Sequence, residues 1–158
     1  MKHTIELSVN GEVWAVDVVP GEVLLDVLRE KIGTKSPKIG CERGDCGSCT
    51  VLYDGKSIRA CLVLAVEAER HEIVTLEGLG HDGLSVLQEK MIEMSSFQCG
   101  FCAPGIVLSV HELLEQEPNP TAEQVQEAIS GNLCRCTGYD PIVDAVLEAA
   151  RIGPGDAS

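Results

Sequence analysis

The sequence predicts an α+β protein, a small sheet-bearing unit followed by a bundle of helices. Three observations carry that expectation. Apolar residues alternate along much of the first half, they recur at helical spacing through the second, and the eight cysteines fall into two runs of four, one run in each half. A chain of 158 residues with 44% apolar side chains suits one ordinary domain or two small ones.

Taken in order, Ile5, Leu7 and Val9 alternate, Asn10-Gly11 is a type I′ turn signal, and Trp14, Val16 and Val18 alternate again. That predicts a β-hairpin with one buried face. Pro20-Gly21 breaks the second strand, and Leu24, Val27 and Leu28 recur at helical spacing until Gly33. A second hairpin is predicted from Thr50-Val51-Leu52-Tyr53, the turn Asp54-Gly55 and Ser57-Ile58, and one more strand from Ile73, Val74 and Leu76. Hairpin, helix, hairpin and return strand make a β-grasp-like α+β domain over residues 1–77.

The glycine-rich stretch Glu77 to Gly83 has no sustained periodicity, which places a linker at residues 78–83. A helical domain is expected over 84–158. Leu84, Leu87, Met91 and Met94 line one face, with Ser85 and Gln88 at capping-box spacing. Pro104 suits a first helical position, and Ile106, Val110, Leu113 and Leu114 form the next stripe. Pro118-Asn119-Pro120 ends it. Thr121 and Gln124 repeat the capping-box pattern, Val125, Ala128 and Ile129 face inward, and Gly131 is the expected C-terminal cap. Asp140-Pro141 starts a last helix with Ile142, Val146 and Ala149 inward, completing a four-helix bundle.

The cysteines sit at the turns of these elements. The first run, Cys41-x4-Cys46-x2-Cys49-x11-Cys61, opens with the spacing by which plant-type ferredoxins hold a [2Fe–2S] cluster. Gly40, Gly44 and Gly47 interleave with these ligands and let the backbone wrap an inorganic core and aim N–H groups at its sulfurs. In the second run, Cys99 and Cys102 lie between the first two helices and Cys134 and Cys136 between the last two, so an antiparallel bundle brings both pairs to one end. Four-cysteine zinc is the structural alternative. The asymmetry of the first run argues against it. In the second run the closing pair is separated only by Arg135, and spacing alone leaves zinc and a cluster both open. Either way, cluster- or metal-free protein is expected to be loosened or unfolded.

Other features mostly exclude functions. Met1 to Val9 alternates polar and apolar residues and offers no apolar stretch for export, so the cysteines are read as thiols in the reducing cytoplasm and not as a disulfide framework. No run approaches the ~18 apolar residues of a membrane span, and a net charge of −13 disfavours nucleic acid. His3, His71, His81 and His111 have no ligand spacing to one another. There is no phosphate-binding glycine loop and no nucleophile motif, so catalysis is expected to reside in a partner. Arg43 and Arg135 flank ligands and either offset cluster charge or are plain surface arginines.

The stretches Gly40-CERGDCGSCT-Val51, Gln98-CGFCAPG-Ile106 and Gly131-NLCRCTGYDPI-Val143 resemble the three signatures of the iron–sulfur subunit of the xanthine dehydrogenase, or molybdenum hydroxylase, family. The resemblance implies a plant-ferredoxin-like domain and a helical domain, each with one [2Fe–2S] cluster. The ligands it implies are Cys41, Cys46, Cys49 and Cys61 for one, and Cys99, Cys102, Cys134 and Cys136 for the other. It further implies a wire that carries electrons singly between a molybdopterin cofactor on a large subunit and FAD on a medium subunit, in a dimer of heterotrimers. The helical-domain cluster would lie nearer the molybdenum cofactor, with Gln98 hydrogen-bonding the pterin and Cys136 contacting it while ligating iron. A free-standing two-cluster ferredoxin is the alternative. Asp45, Ser48 and Ala103 depart from the residues frequent in the family, glutamate, alanine and threonine, without removing a ligand, and Ala103 forfeits a possible helix cap before Pro104.

Overall fold

The computed structural model describes residues 2–80 and 83–153. Met1, His81 and Asp82 of the expected linker, and residues 154–158 lie outside the described residues. Strands β1 (His3–Val9) and β2 (Glu12–Val18) form an antiparallel hairpin that sets Ile5 opposite Val16 and Leu7 opposite Trp14. Asn10 and Gly11 take φ values of 54° and 79°, the paired left-handed conformations of a type I′ turn. Leu7, Val9, Val16 and Val18 are buried on one face, each worth roughly 1.5–3 kcal/mol in transfer free energy.

Helix α1 (Leu24–Asp26) runs directly into a π-helical stretch, Val27–Ile32, so the single helix expected here is wider than a regular one. Its cause is local. The N–H groups of Gly33 and Thr34 and the Thr34 hydroxyl all converge on the Leu28 carbonyl at 2.9 Å. The widened coil buries Leu24, Leu25, Val27 and Leu28 together.

Strands β3 (Thr50–Tyr53) and β4 (Lys56–Arg59) form the second hairpin, and β5 (Glu72–Val74) closes a five-stranded sheet in the order β2-β1-β5-β3-β4. β1 and β5 are parallel, and the other pairs are antiparallel. The first core gathers Leu7, Val18, Leu24, Leu28, Val51 and Ile73 between the sheet and α1. Leu76, expected to extend β5, instead opens α2 (Leu76–Leu79) and packs against the second core. The strand stops because Thr75 is held from the side: its N–H donates to Asn10 Oδ1 and its hydroxyl to Glu77.

Four longer helices follow, α3 (Val86–Glu93), α4 (Ala103–Gln116), α5 (Ala122–Ile129) and α6 (Asp140–Ile152). Both expected capping boxes form, Ser85 with Gln88 and Thr121 with Gln124. Leu87, Met91, Ile106, Val110, Val125, Ile129, Ile142 and Val146 make the second core. Three expectations need correction. Leu84 and Met94 flank α3 instead of lying within it, and both are exposed. Ala103 is the first helical residue and Cys102 the cap residue, so Pro104 stands one position in and no hydroxyl at 103 would cap α4. Ser130 is the cap residue of α5, and Gly131 follows it without a left-handed φ, with the Arg59 guanidinium lying where a Cβ would stand. Among the described residues, no helix is long and apolar enough to cross a membrane.

Candidate metal centres

The first site forms where a long loop meets the end of a hairpin. Cys41, Cys46 and Cys49 lie on the loop before β3, and Cys61 on the short 3₁₀ turn Ala60–Leu62 after β4. The β3–β4 register pairs Thr50 with Arg59, which sets Cys49 beside Ala60; the Ala60 N–H donates to the Cys49 carbonyl at 3.3 Å. At the entrance, Arg29 Nη1 donates to the Pro37 carbonyl at 2.7 Å, and the Lys38 N–H closes the loop on Ser48 O at 2.9 Å. A Cβ on Gly40 would stand 2.7 Å from Cys46 Sγ, so only glycine lets the chain pass that sulfur.

The second site forms between helix ends. Cys99 and Cys102 lie on the turn entering α4, and Cys134 and Cys136 on the loop entering α6. Tyr139 ends that loop at φ 72°, an unusual conformation for a non-glycine residue, and its side chain explains how the loop is held. The Tyr139 hydroxyl accepts from the Cys134 N–H at 2.8 Å and donates to the Asn132 carbonyl at 3.1 Å.

Within each site the thiols come in twos. Cys136 Sγ lies 3.6 Å from Cys99 Sγ, and the side chains of Cys46, Cys61 and Cys134 shift the acidity of Cys41, Cys49 and Cys102 respectively. Among the described residues no three His, Cys, Asp or Glu side chains converge on one ion position. Four thiols arranged as two pairs suit a diiron core that takes two thiolates on each iron.

Protonation follows the surroundings. The backbone N–H groups of Arg43 and Cys46 hold the Cys41 thiol down at about 7, while burial pushes Cys49 up to about 11 and Cys102 up to about 12. The Phe101 N–H lowers Cys99, and the hydrogen bond it shares with Cys99 raises Cys136. Burial would raise Cys134, but the Thr137 hydroxyl and the N–H groups of Cys136 and Thr137 outweigh it and lower the thiol. Buried thiols that are protonated in water must release protons to a metal, which couples loading to pH.

The two sites are stitched together. The Leu133 N–H donates to the Cys46 carbonyl at 2.9 Å. Buried Asn132 donates to Gly47 O at 3.1 Å and Thr50 Oγ1 at 3.2 Å, and its own oxygen accepts from Ser109 at 3.0 Å. Arg59 reaches Thr50 Oγ1 at 2.9 Å and the Gly131 carbonyl at 2.7 Å. Lys38 Nζ lies 5.8 Å from the Phe101 ring centroid, a cation–π contact.

Gln98 donates to the Cys136 carbonyl at 3.0 Å, and both residues are exposed at the outer edge of the second site. Arg43 pairs with Asp45 at 2.6 Å, and Arg135 is exposed. His71 pairs with Asp54 at 2.6 Å and stacks on Tyr53, away from either site. Asn132, Arg59, Thr50, Ser109 and Tyr139 carry the architecture of the sites and were not singled out by sequence reasoning. The one sequence signal was that Asn132 and Tyr139 lie within Gly131-NLCRCTGYDPI-Val143.

A mixed α+β chain with eight cysteines in two sets of four, one on a sheet-borne loop and turn and one between helices, is built as an iron–sulfur protein is. Residues 7–75 match the 2Fe-2S iron-sulfur cluster binding domain and residues 75–147 the [2Fe-2S] binding domain. The chain is 47% identical to the nicotinate dehydrogenase small FeS subunit of Eubacterium barkeri, covering 95% of this chain and 96% of that one. It is 49% identical to the nicotine 6-hydroxylase small subunit of Paenarthrobacter nicotinovorans, covering 92% and 88%. Its structure superposes on the crystal structure of quinoline 2-oxidoreductase from Pseudomonas putida 86 with a TM-score of 0.90 at 45% identity, covering 97% of this chain and 98% of that chain. The chain belongs to the small iron–sulfur subunits of the xanthine dehydrogenase-type molybdenum hydroxylases. It is accordingly a subunit of an oxidoreductase.

Proposed function

We propose that this chain holds two [2Fe–2S] clusters and relays electrons between a molybdopterin cofactor on a large subunit and FAD on a medium subunit, in a cytoplasmic dimer of heterotrimers. One cluster takes Cys41, Cys46, Cys49 and Cys61 in a β-grasp, plant-ferredoxin-like unit (1–77), and the other Cys99, Cys102, Cys134 and Cys136 in a four-helix unit (84–158), with 78–83 as linker. The observation that carries this reading is that each of the two matched cluster-binding stretches, 7–75 and 75–147, holds four of the eight cysteines. Each bound cluster would accept and release one electron at a time.

The chain's own residues supply position and surroundings. The Leu133–Cys46 backbone bond and the Asn132 and Arg59 contacts fix one cysteine loop against the other, so the separation of the sites is set by the fold. Backbone N–H groups aimed at Cys41, Cys99 and Cys134 favour the ionised, metal-binding sulfur. Gln98 and Cys136, already bonded to each other and exposed, form the edge suited to meet a pterin.

The test is to isolate the native complex without oxygen. About four irons and four acid-labile sulfides per chain are expected, with two distinct rhombic EPR signals on reduction and a co-purifying molybdenum-bearing chain. Zinc without sulfide would overturn the cluster reading. Two clusters with no large partner would leave a free-standing ferredoxin.

A further inference from the structure

The two sites differ in what reaches their sulfurs. At the first, the Cys46 N–H approaches Cys41 Sγ at 3.4 Å, and the other groups that lower Cys41 are likewise backbone N–H groups or a neighbouring thiol. At the second, the Thr137 hydroxyl lies 3.1 Å from Cys134 Sγ. Among the described residues it is the one side-chain hydroxyl in hydrogen-bond contact with a cysteine sulfur.

The direction of that hydrogen bond is fixed by the sulfur. The Tyr139 N–H donates to Thr137 Oγ1 at 3.2 Å and fills one of the oxygen's two acceptor positions. A cysteine that ligates iron is a thiolate and can only accept. The hydroxyl proton therefore points at the sulfur. The loop cannot easily turn it elsewhere, because Tyr139, at φ 72°, anchors its ring in the second core and its hydroxyl between the Cys134 N–H and the Asn132 carbonyl.

We propose that Thr137 is a positioning residue that sets the potential of the helical-domain cluster through a hydroxyl-to-sulfur hydrogen bond on Cys134. This rests on the cluster assignment above. Reduction adds one negative charge to the cluster, and a donor aimed at a ligand sulfur stabilises that charge, so the hydroxyl raises the midpoint potential of this cluster alone. The first cluster, which draws on backbone donors, is untouched by any change at 137.

The experiment is an EPR-monitored redox titration of the native complex carrying Thr137→Val and, separately, Thr137→Ser. Valine keeps the shape of the side chain and removes the donor; serine keeps the donor. Thr137→Val is expected to move the midpoint of the second cluster to more negative values while the first stays in place, and Thr137→Ser to restore it. An unchanged second midpoint in Thr137→Val, parallel shifts of both clusters, or a serine variant that behaves like valine would each overturn the proposal. Should Thr137→Val fail to assemble, Thr137→Ala titrated in the same way still decides: a second midpoint more negative than in Thr137→Ser, with the first unmoved, is expected, and an unchanged second midpoint would count against the proposal. The wild-type spectra separate this inference from the reading beneath it, since absence of two cluster signals refutes the clusters themselves.

Discussion

The first cysteine site has two of its four thiols, Cys49 and Cys61, in a hydrophobic core and two part-exposed, whereas the second sits on the rim of a core with two thiols exposed. Cys49 and Cys61 are 3% and 8% exposed and pack with the residues of the first core, while at the second site only Cys102, at 7%, is buried, and Cys99 and Cys136 are exposed. The contrast separates two uses of the same ligand chemistry. A site within a core is part of what holds the domain together, and a site on a rim presents its ligands to whatever docks there. The first is half covered by the chain's own sheet and loop; the second is open at the edge formed by Gln98 and Cys136.

The largest expected consequence concerns the ligands. Cys49→Ser places a hydroxyl among buried apolar groups and, under the ligation proposed above, takes a ligand from the core, so it should abolish the first EPR signal and lower unfolding free energy by about 3 kcal/mol or more. Cys136→Ser should perturb only the second signal and cost about 1 kcal/mol, because the site already faces solvent. Equal losses of stability, measured by thermal melts followed at the visible cluster absorption, would erase the distinction between core and rim.

Glycines sharpen the same comparison. Gly47, at φ 75°, has the Gly131 carbonyl where a Cβ would go, and Asn132 Nδ2 only 2.7 Å from it. Gly100, on the turn between Cys99 and Cys102, has nearly the same φ, 76°, with nothing within 4 Å. Gly47→Ala should therefore cost roughly 3 kcal/mol, combining backbone strain with a clash that neither loop can yield to, and Gly100→Ala about 1 kcal/mol of strain alone. Chemical denaturation of the two variants side by side checks the ratio.

Asn132 is where the two regions depend on one another. It is 1% exposed and bonds Gly47 O, Thr50 Oγ1 and Ser109. Asn132→Ala deprives the Ser109 hydroxyl of its partner and removes one donor each from Gly47 O and Thr50 Oγ1, which keep Thr50 and Arg59 respectively, and should cost about 1–2 kcal/mol. Spectroscopy adds a sharper reading: the magnetic interaction between the two reduced clusters should weaken, because the contact that fixes their separation is loosened. A variant with normal stability and an unchanged interaction would show that the Leu133–Cys46 backbone bond suffices.

How much of this was legible follows from where the information lies. The hairpins, the two capping boxes and the grouping of cysteines into two sets were readable because they depend on local spacing: an Asn-Gly or Asp-Gly turn, a Ser or Thr three residues before Gln, alternation of apolar side chains. The π-helical widening at Val27–Ile32 was not, since it depends on three donors converging on one carbonyl, a geometry with no period. Leu76 read as a strand residue because apolar character does not say which of two cores it enters. Gly131 read as a helix cap, and what meets it is Arg59, 72 positions away in sequence. The sulfur pairing within each site is likewise tertiary. The residues that matter most for joining the sites, Asn132, Thr50 and Arg59, were hidden because each has an ordinary identity and acts only across the boundary between the halves.

The smallest predicted effect lies at that boundary too, and its pH dependence has a definite sign. Glu77 accepts from the Lys35 and Ser36 N–H groups, each at 2.8 Å, from the Ser36 hydroxyl, and from the Thr75 hydroxyl at 2.6 Å, so it ties the entrance of the first cysteine loop to the start of the second half. Burial would raise its carboxyl, but these donors outweigh it and hold the group at about 2, against an ordinary 4.5. A carboxylate lowered on folding contributes stability that is complete above the unfolded value and disappears as pH falls from 4.5 through about 2. Full linkage over that interval would be roughly 3 kcal/mol, and because the carboxylate is part-buried on a residue that is otherwise exposed, screening reduces the expectation to about 1 kcal/mol. Glu77→Gln should thus lower stability by that amount near neutral pH, with the difference from wild type shrinking below pH 4.5. Denaturation of matched preparations, in which acid loss of sulfide is common to both, tests it. A difference that stays constant down to pH 3 would mean that shape, and not charge, is what Glu77 contributes to the junction.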